Sequence, residues 1–238
     1  MIERKWFFLF VMVTILMQTI FINKFNLLYS DYPFLDGVPA TPSESLNYRY
    51  LLNWYLPIIS MSFFFTGYLK DTIHTYGPSF FIRSYSKPKW VMKRLFYMAV
   101  ILSIFVLFQW MLSIVTIREW TFPAFALLAY FLTLYLLFSM QLLLELYLKS
   151  EIAQLVINIY IVFSILVSSH LDSTILGEGS HYFFVPLYGM GFRNGLSDII
   201  QFQTHDIHLF SGVVILMVLL LGIAWISMKK VKKMDLLR

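Results

Sequence analysis

Six long apolar stretches divide this chain, and no other feature limits its possible folds as strongly. The hydrocarbon core of a bilayer is about 30 Å thick, which a helix rising about 1.5 Å per residue crosses in roughly 20 residues. Backbone amides in lipid must be satisfied within their own segment, and the alternating polar pattern of a membrane β-barrel is absent from the sequence. The stretches therefore predict an all-α integral membrane fold. They cover residues 6–22, 51–69, 95–117, 122–148, 152–169 and 209–228.

The composition agrees with a membrane protein. Hydrophobic residues make up 59% of the chain and charged residues 13%, with a mean hydropathy of +0.73, whereas soluble domains are about 25% charged. We therefore expect residues 1–238 to form one transmembrane domain. The net charge of +5 does not indicate nucleic-acid binding, because the basic residues flank the apolar stretches, where anionic lipid accounts for them. The absence of cysteine excludes disulfides, thiolate metal sites and cysteine nucleophiles.

Lys and Arg are distributed unevenly among the segments that link the stretches. With six spans and a cytoplasmic N-terminus, 14 of the 18 basic residues fall on the cytoplasmic side, as the positive-inside bias requires. The outer segments hold the other four, together with eight Asp and Glu residues. This predicts that both termini are cytoplasmic. The inner basic residues are Arg4, Lys5, Lys70, Arg83, Lys87, Lys89, Lys93, Arg94, Lys149, Lys229, Lys230, Lys232, Lys233 and Arg238.

Two outer segments, residues 23–50 and 170–208, are long enough to have structure of their own. The first contains three prolines and is typical of an irregular cap. The second contains an apolar run at 182–192 that is too short to span a bilayer and is interrupted by Pro186 and by glycines. One interpretation is a re-entrant hairpin that dips into the outer leaflet with protein covering its backbone. The other is an apolar lid packed on the span ends.

The inner segment at residues 70–94 carries the clearest functional signal. Gly77 and Pro78 end a short continuation of the second stretch, and Ser79 can cap a short helix that follows. This helix would place aromatic side chains among basic ones, so it could lie on a membrane surface or fit a groove on a soluble partner. A positive-inside loop with aromatic anchors would explain the same residues.

These residues resemble the cytoplasmic segment of ABC-2 type ABC transporter permeases. Asp71 comes just after the second stretch, Gly77 follows, and residues 83–90 read Arg-Ser-Tyr-Ser-Lys-Pro-Lys-Trp. In that family an acidic residue, a glycine, a short helix and an Arg-Ser-x-Ser-Lys-like run occupy these places, and the layout of six spans is similar over the whole chain. Two features depart from the family. Asp71 stands where Glu is usual, and residues 1–5 leave no room for an interfacial helix before the first stretch.

The resemblance implies the membrane-spanning subunit of an ATP-driven exporter in a bacterial cytoplasmic membrane. Its cargo would be hydrophobic or amphipathic compounds such as antimicrobial peptides. The chain lacks the Gly-x-x-x-x-Gly-Lys-Ser/Thr pattern that cradles phosphates, so ATP and Mg²⁺ would be bound by a separate cytoplasmic ABC ATPase and the chain itself would hold no cofactor. A second permease chain, identical or related, would complete the pore. The residues implied to contact the ATPase are Asp71, Gly77, Phe80, Phe81, Arg83, Ser86, Lys87 and Trp90.

Two other classes of function remain open. A membrane immunity or sensor protein could use the same spans to bind a peptide without transporting it. A membrane-embedded enzyme or ion-coupled carrier usually needs ionisable groups inside the bilayer, and Glu145 is the nearest candidate. Because Lys149 follows four residues later, the simplest interpretation of Glu145 is one half of a boundary ion pair, with a coupling role as the alternative.

The other polar residues within the stretches are suited to helix–helix hydrogen bonds, or to a sparse lining for an amphiphilic substrate. They are Thr14, Gln18, Ser60, Ser62, Gln109, Ser139, Gln141, Gln154 and Asn158.

Four of the five histidines lie in the last outer segment. There His205 and His208 would share a face if that region were helical, and with a carboxylate they could hold a divalent metal. Ordinary loop histidines are the simpler interpretation, and we assign no metal site.

Overall fold

A computed structural model describes residues 2–25, 32–39, 48–70, 86–117, 122–170 and 179–233. Within these ranges the chain forms helices and turns and no β-strand, apart from a single bridge between Asn194 and His205. The fold is therefore all-α. The α-helices are α1 (Ile2–Phe25), α2 (Pro33–Asp36), α3 (Tyr48–Phe65), α4 (Lys87–Ile117), α5 (Ala124–Glu145), α6 (Ser150–His170), α7 (Gly191–Asn194) and α8 (Leu209–Lys233). Three short 3-10 helices, Ser180–Phe183, Val185–Gly189 and Ile200–Phe202, lie between α6 and α8.

Each of the six apolar stretches forms a long helix, as the sequence predicts. Four of these helices, α4, α5, α6 and α8, are long and apolar enough to cross a membrane, which is the property of an integral membrane protein. The apolar part of α1, Trp6–Phe21, is shorter, and α3 begins with the polar residues Tyr48 and Arg49. Length and composition alone therefore identify four spans among the described residues.

Helix α4 begins earlier than the sequence predicts. The apolar stretch starts at residue 95, but the helix starts at Lys87, so Lys87 and Trp90 are helical and not part of the connecting loop. Pro88 is compatible with this start, because a proline in the first turn loses no helical hydrogen bond. Its 31 residues make α4 about 46 Å long. It is therefore longer than a hydrocarbon core of about 30 Å, and hydropathy marks only the apolar part of the helix.

Helix α5 lies at the centre of the bundle. In its most apolar window 67% of the positions are buried, compared with 17% in α8. It packs against α4, α6, α8 and the segment Val185–Gly189, while α1 packs mainly on α3. Tyr130 and Phe138 of α5 belong to the main hydrophobic core. The outward faces of α4 and α8 are apolar and exposed, for example at Val115 and Leu221, as expected of surfaces that contact lipid.

The apolar run at 182–192 enters the bundle between the helices. It is folded into 3-10 turns and α7, and every residue from 185 to 194 is buried. A Cβ added at Gly189 would lie 3.1 Å from Thr133. Thr133 is nine residues into α5, which places the contact about 14 Å along that helix from its start. A lid resting on the helix ends would not reach this depth.

The polar backbone groups of this segment bond to one another in turns and, at several places, to side chains. The hydroxyl of Tyr160, near the middle of α6, donates to the carbonyl of Phe183 at 2.9 Å and accepts from the N–H of Val185 at 3.0 Å. Asn194 Nδ2 donates to the carbonyl of Tyr188 at 3.0 Å. Protein thus covers the irregular backbone, which is the condition that a re-entrant segment must meet.

We expect Gly189→Val to lower the stability of the folded protein. The new side chain would collide with Thr133 of α5, and overpacking of this kind costs about 1–3 kcal/mol. Thermal unfolding of the purified protein in detergent measures the loss. Gly222→Val in α8 is the matched control, because nothing lies within 4 Å of its added Cβ. Equal losses in the two variants would contradict the close contact between Gly189 and α5.

Candidate functional site at the basic end of the bundle

Lys and Arg residues gather at one end of the bundle, which we call the basic end. There α3 ends, α4 begins, α5 ends, α6 begins and α8 ends. The ammonium of Lys230 lies 4.1 Å from the ring centroid of Tyr147, and Lys70 Nζ donates to the carbonyl of Leu148 at 2.8 Å. The basic residues of the predicted inner segments that the structure describes therefore also lie together at one end of the folded protein. The basic end carries Lys70, Lys87, Lys89, Lys93, Arg94, Lys149, Lys229, Lys230, Lys232 and Lys233.

A turn at residues 66–69 ends α3 at the basic end. Gly67 has a φ of +70°, a left-handed conformation that glycine adopts readily where a helix terminates. Its N–H donates to Oε1 of Glu145 at 2.9 Å. Glu145 is the last residue of α5 and is 0% exposed. One hydrogen bond thus joins the end of α5 to the point where the chain leaves α3 for the segment 70–86.

The predicted ion pair between Glu145 and Lys149 is wrong. Two residues four apart share a face only while the helix continues, but α5 ends at Glu145 and a turn follows. Lys149 is exposed, whereas the Glu145 carboxylate is directed inward to Gly67. Because the apolar stretch continues to residue 148, hydropathy alone does not reveal this helix end. A buried carboxylate requires compensating hydrogen bonds, so Glu145 holds the turn that follows α3.

Helix α4 is attached to the same turn by contacts between a cation and two aromatic rings. The guanidinium carbon of Arg94 lies 5.4 Å from the ring centroid of Tyr68 and 5.4 Å from that of Trp90, within the range of a cation–π interaction. Trp90 is buried, and its backbone N–H donates to the carbonyl of Ser86 at 3.1 Å. This hydrogen bond forms the first turn of α4. The turn that ends α3 and the first turns of α4 are therefore held next to each other.

Three of the eight residues implied to contact an ATPase lie in the described part of the chain. Ser86 is exposed just before α4, Lys87 is half-buried at its first position, and Trp90 is buried. The ring of Trp90 therefore packs inside the protein, against Arg94 of the same helix, and is not exposed to a partner. The other five residues lie outside the described ranges. They are Asp71, Gly77, Phe80, Phe81 and Arg83.

A buried polar network joins α3, α5 and α6 next to the basic end. Ser62 Oγ donates to Gln141 Oε1 at 2.8 Å, and Gln141 Nε2 donates back to the Ser62 carbonyl at 3.0 Å. Asn158 Nδ2 donates to Ser62 Oγ at 2.9 Å, and Asn158 Oδ1 accepts from the hydroxyl of Tyr55 at 2.7 Å. Helix–helix bonding, one of the two uses predicted for Ser62, Gln141 and Asn158, is thus confirmed. These three helices are tied together at this level.

The end of the bundle opposite the basic end contains three of the outer-segment histidines, at positions 181, 205 and 208. His205 pairs with Asn194 in the isolated bridge, and His208 lies just before α8, so the helical face predicted to hold both is not formed. Asp206 between them accepts from Arg193 at 3.1 Å. No group of three or more His, Cys, Asp or Glu side chains in the described ranges is placed to hold a metal ion.

Comparison with known proteins gives the chain a family. The profile described as "Protein of unknown function (DUF2705)" matches residues 10–237. The chain belongs to the DUF2705 family. It is similar to the "Uncharacterized protein YybK" of Bacillus subtilis (strain 168), with 36% identity over 245 residues that cover 98% of this chain and 97% of the relative. No solved structure matches the chain. The DUF2705 match includes both the basic end and the segment 70–86.

In this DUF2705 chain we expect Glu145→Ala to destabilise the folded protein and Glu145→Gln to be tolerated. The alanine leaves the N–H of Gly67 without its acceptor in a buried place, which costs about 1–3 kcal/mol. Glutamine keeps an oxygen at the same position. Thermal unfolding in detergent distinguishes the two variants. A glutamine variant as unstable as the alanine variant would show that the negative charge, and not the bond to Gly67, is what the site requires.

Proposed function

We propose that this protein is the membrane-spanning subunit of an ATP-driven exporter of the ABC-2 type. It has six spans, and the basic end and both termini face the cytoplasm of a bacterial cell. A cytoplasmic ABC ATPase binds ATP and Mg²⁺, and a second permease chain completes the transporter. The cargo is a hydrophobic or amphipathic compound, such as an antimicrobial peptide. The chain itself acts as a transport subunit and not as an enzyme.

The anchoring of the segment 70–86 is the observation that supports this proposal most. The turn before the segment, at Gly67, is bonded to Glu145, and the helix after it, which begins at Lys87, is held by the aromatic contacts of Arg94. A force applied to the segment would therefore reach α3 and α5 on one side and α4 on the other. The sequence of the segment resembles the part of ABC-2 permeases that contacts their ATPase.

Helix α4 is suited to carry such a force across the membrane. It is continuous for 31 residues, or about 46 Å, and its first turns belong to the basic end. On the other side of the segment lies α3, which is bonded to α5 and α6 through Ser62, Gln141 and Asn158. When ATP closes two ATPase subunits, the docked segments move together and tilt α3 and α4, the two helices that each segment joins. Coupling requires a discrete element of this kind whose equilibrium both sites bias.

The six-span arrangement is supported by how the less apolar helices are packed. Thr14 of α1 and Ser60 of α3 share a hydrogen bond of 2.8 Å, and Gln18 Nε2 donates to the carbonyl of Asn53 at 3.0 Å. Gln109 of α4 donates to Gln18 Oε1 at 3.0 Å. Polar side chains that face a neighbouring helix lower the hydropathy of their own helix, yet they are not exposed to lipid. Helices α1 and α3 can therefore span a bilayer as a bonded pair.

A second candidate is a membrane immunity or sensor protein that binds a peptide without moving it. The polar network of Ser62, Gln141 and Asn158 favours this function, because a well-bonded buried network stabilises one packing of the helices. Such a protein would act without an ATPase. The two candidates therefore differ in their partners.

An affinity-tagged copy purified from its native membrane is expected to bring an ABC ATPase with it. Phe81→Asp or Arg83→Glu should release the ATPase, because each change adds negative charge to the segment proposed to dock. Mass spectrometry of the purified complex and its ATP hydrolysis rate are the measurements. Lys232→Glu is the matched control, since it reverses an exposed charge at the basic end outside the segment. A stable ATPase-free protein that still protects cells from a peptide would overturn the exporter and favour the immunity protein.

A further inference from the structure

Arg193 is a buried cation in α7, close to the start of α8 and far from the basic end. Its side chain is 1% exposed. The backbone holds it there, because its N–H donates to the carbonyl of Met190 at 3.0 Å and its carbonyl accepts from the N–H of Ile207 at 3.2 Å. A guanidinium has five N–H groups, and when it is buried they need acceptors inside the protein.

Among the described residues, the guanidinium has an acceptor at Nη1 but not at Nε or Nη2. Nη1 donates to Oδ2 of Asp206 at 3.1 Å, and the same oxygen accepts from Thr204 Oγ1 at 2.9 Å. Nε and Nη2 are buried and have no acceptor within the described part of the chain. Their N–H groups point in parallel along one edge of the planar group. An edge of this kind binds the two oxygens of a carboxylate or phosphate at once.

Asp206 does not fully compensate the buried charge. Its side chain is 19% exposed, so solvent weakens its field. Burial lowers the pKa of the Arg193 guanidinium, and Asp206 opposes that shift only in part. Arginine nevertheless stays protonated under physiological conditions. The protein therefore keeps a cation in its interior with one edge that has no acceptor, and an oxyanion would supply one through two charge-assisted hydrogen bonds.

We propose that the Nε–Nη2 edge of Arg193 binds a phosphate oxyanion. Large apolar side chains are exposed along the outer segment and at the start of α8, namely Phe183 (81%), Ile200 (81%) and Phe210 (83%). Such side chains are suited to the lipid at the end of a span, where the phosphate groups of phospholipids lie. The phosphate belongs to a phospholipid headgroup, or is soluble phosphate that reaches the same edge. This inference requires a membrane protein but not the exporter function.

The segment that follows α7 reaches the Arg193 site at Thr204, whose hydroxyl bonds the same oxygen of Asp206. It turns at Gly195, which has a φ of +75°, and folds back so that the backbone N–H of Thr204 donates to the carbonyl of Phe192 at 2.6 Å. Gln203 Nε2 closes the fold by donating to the carbonyl of Ser197 at 2.9 Å. Its middle, including Ile200, is exposed. Because Nε and Nη2 are buried, phosphate binding requires a local shift, and we expect this exposed segment to provide it.

The test uses the purified full-length protein in dodecyl maltoside, a detergent without phosphate. Its thermal unfolding is followed during titration with dioleoylphosphatidylglycerol and, separately, with a digalactosyl glycerolipid of the same acyl chains. A third titration uses sodium phosphate, with sodium chloride of equal ionic strength as its control. We expect phosphatidylglycerol to raise the Tm and the galactolipid not to do so. A matching rise with sodium phosphate identifies soluble phosphate as a ligand, and its absence identifies the lipid headgroup. Equal effects of the two lipids, or no effect of any probe, would overturn the site.

Three variants separate binding from structure. Arg193→Lys keeps the charge but loses the parallel pair of donors, so the apparent affinity for the phosphate probe should fall about tenfold or more. Asp206→Asn leaves the guanidinium without its carboxylate, so the rise in Tm caused by phosphate should increase. Arg49→Lys, an exposed arginine in α3, should respond like the parent protein. If Arg193→Lys and Asp206→Asn both kept the parent's response, Arg193 would have only a structural role.

Discussion

Polar groups that lie between apolar helices must find their hydrogen-bond partners inside the protein, and this constraint determines how the helices of this chain are joined. Ser62, Gln141 and Asn158 satisfy one another across α3, α5 and α6. Glu145 reaches past the end of its own helix to the N–H of Gly67. An unbonded donor or acceptor in such a place costs about 1–3 kcal/mol. The few polar residues therefore fix which helices contact each other and at what level.

The same constraint explains the two ends of the bundle. At the basic end, Glu145 and Arg94 tie the turn after α3 and the first turns of α4 to the bundle, so the intervening segment 70–86 is attached on both sides. At the other end, Tyr160 bonds the irregular backbone that enters between α5 and α6. Arg193 is one of the residues that do not meet this constraint, since two of its buried donors, Nε and Nη2, have no acceptor in the described ranges.

Hydropathy predicted the number and approximate position of the long helices, because apolar stretches of about 20 residues have few alternatives to a helix. It misplaced the start of α4, since helical hydrogen bonding continues through Lys87 and Trp90 beyond the apolar residues. It also misplaced the end of α5, and with it the role of Glu145. That role depends on contact with Gly67, 78 residues earlier, which no local pattern contains. Spacing likewise could not reveal that His205 lies in a bridge and not in a helix.

Membership of the DUF2705 family does not itself indicate a function. The functional account therefore depends on binding of the segment 70–86 by an ATPase on the cytoplasmic side of the membrane. Because the chain has no cysteine, Ser79→Cys provides a single attachment point for a benzophenone crosslinker in native membranes. The account predicts a crosslinked product that contains an ABC ATPase and that disappears in Arg83→Glu. Crosslinks to phospholipid alone, or modification of residue 79 by a maleimide that cannot cross the membrane from outside the cell, would contradict it.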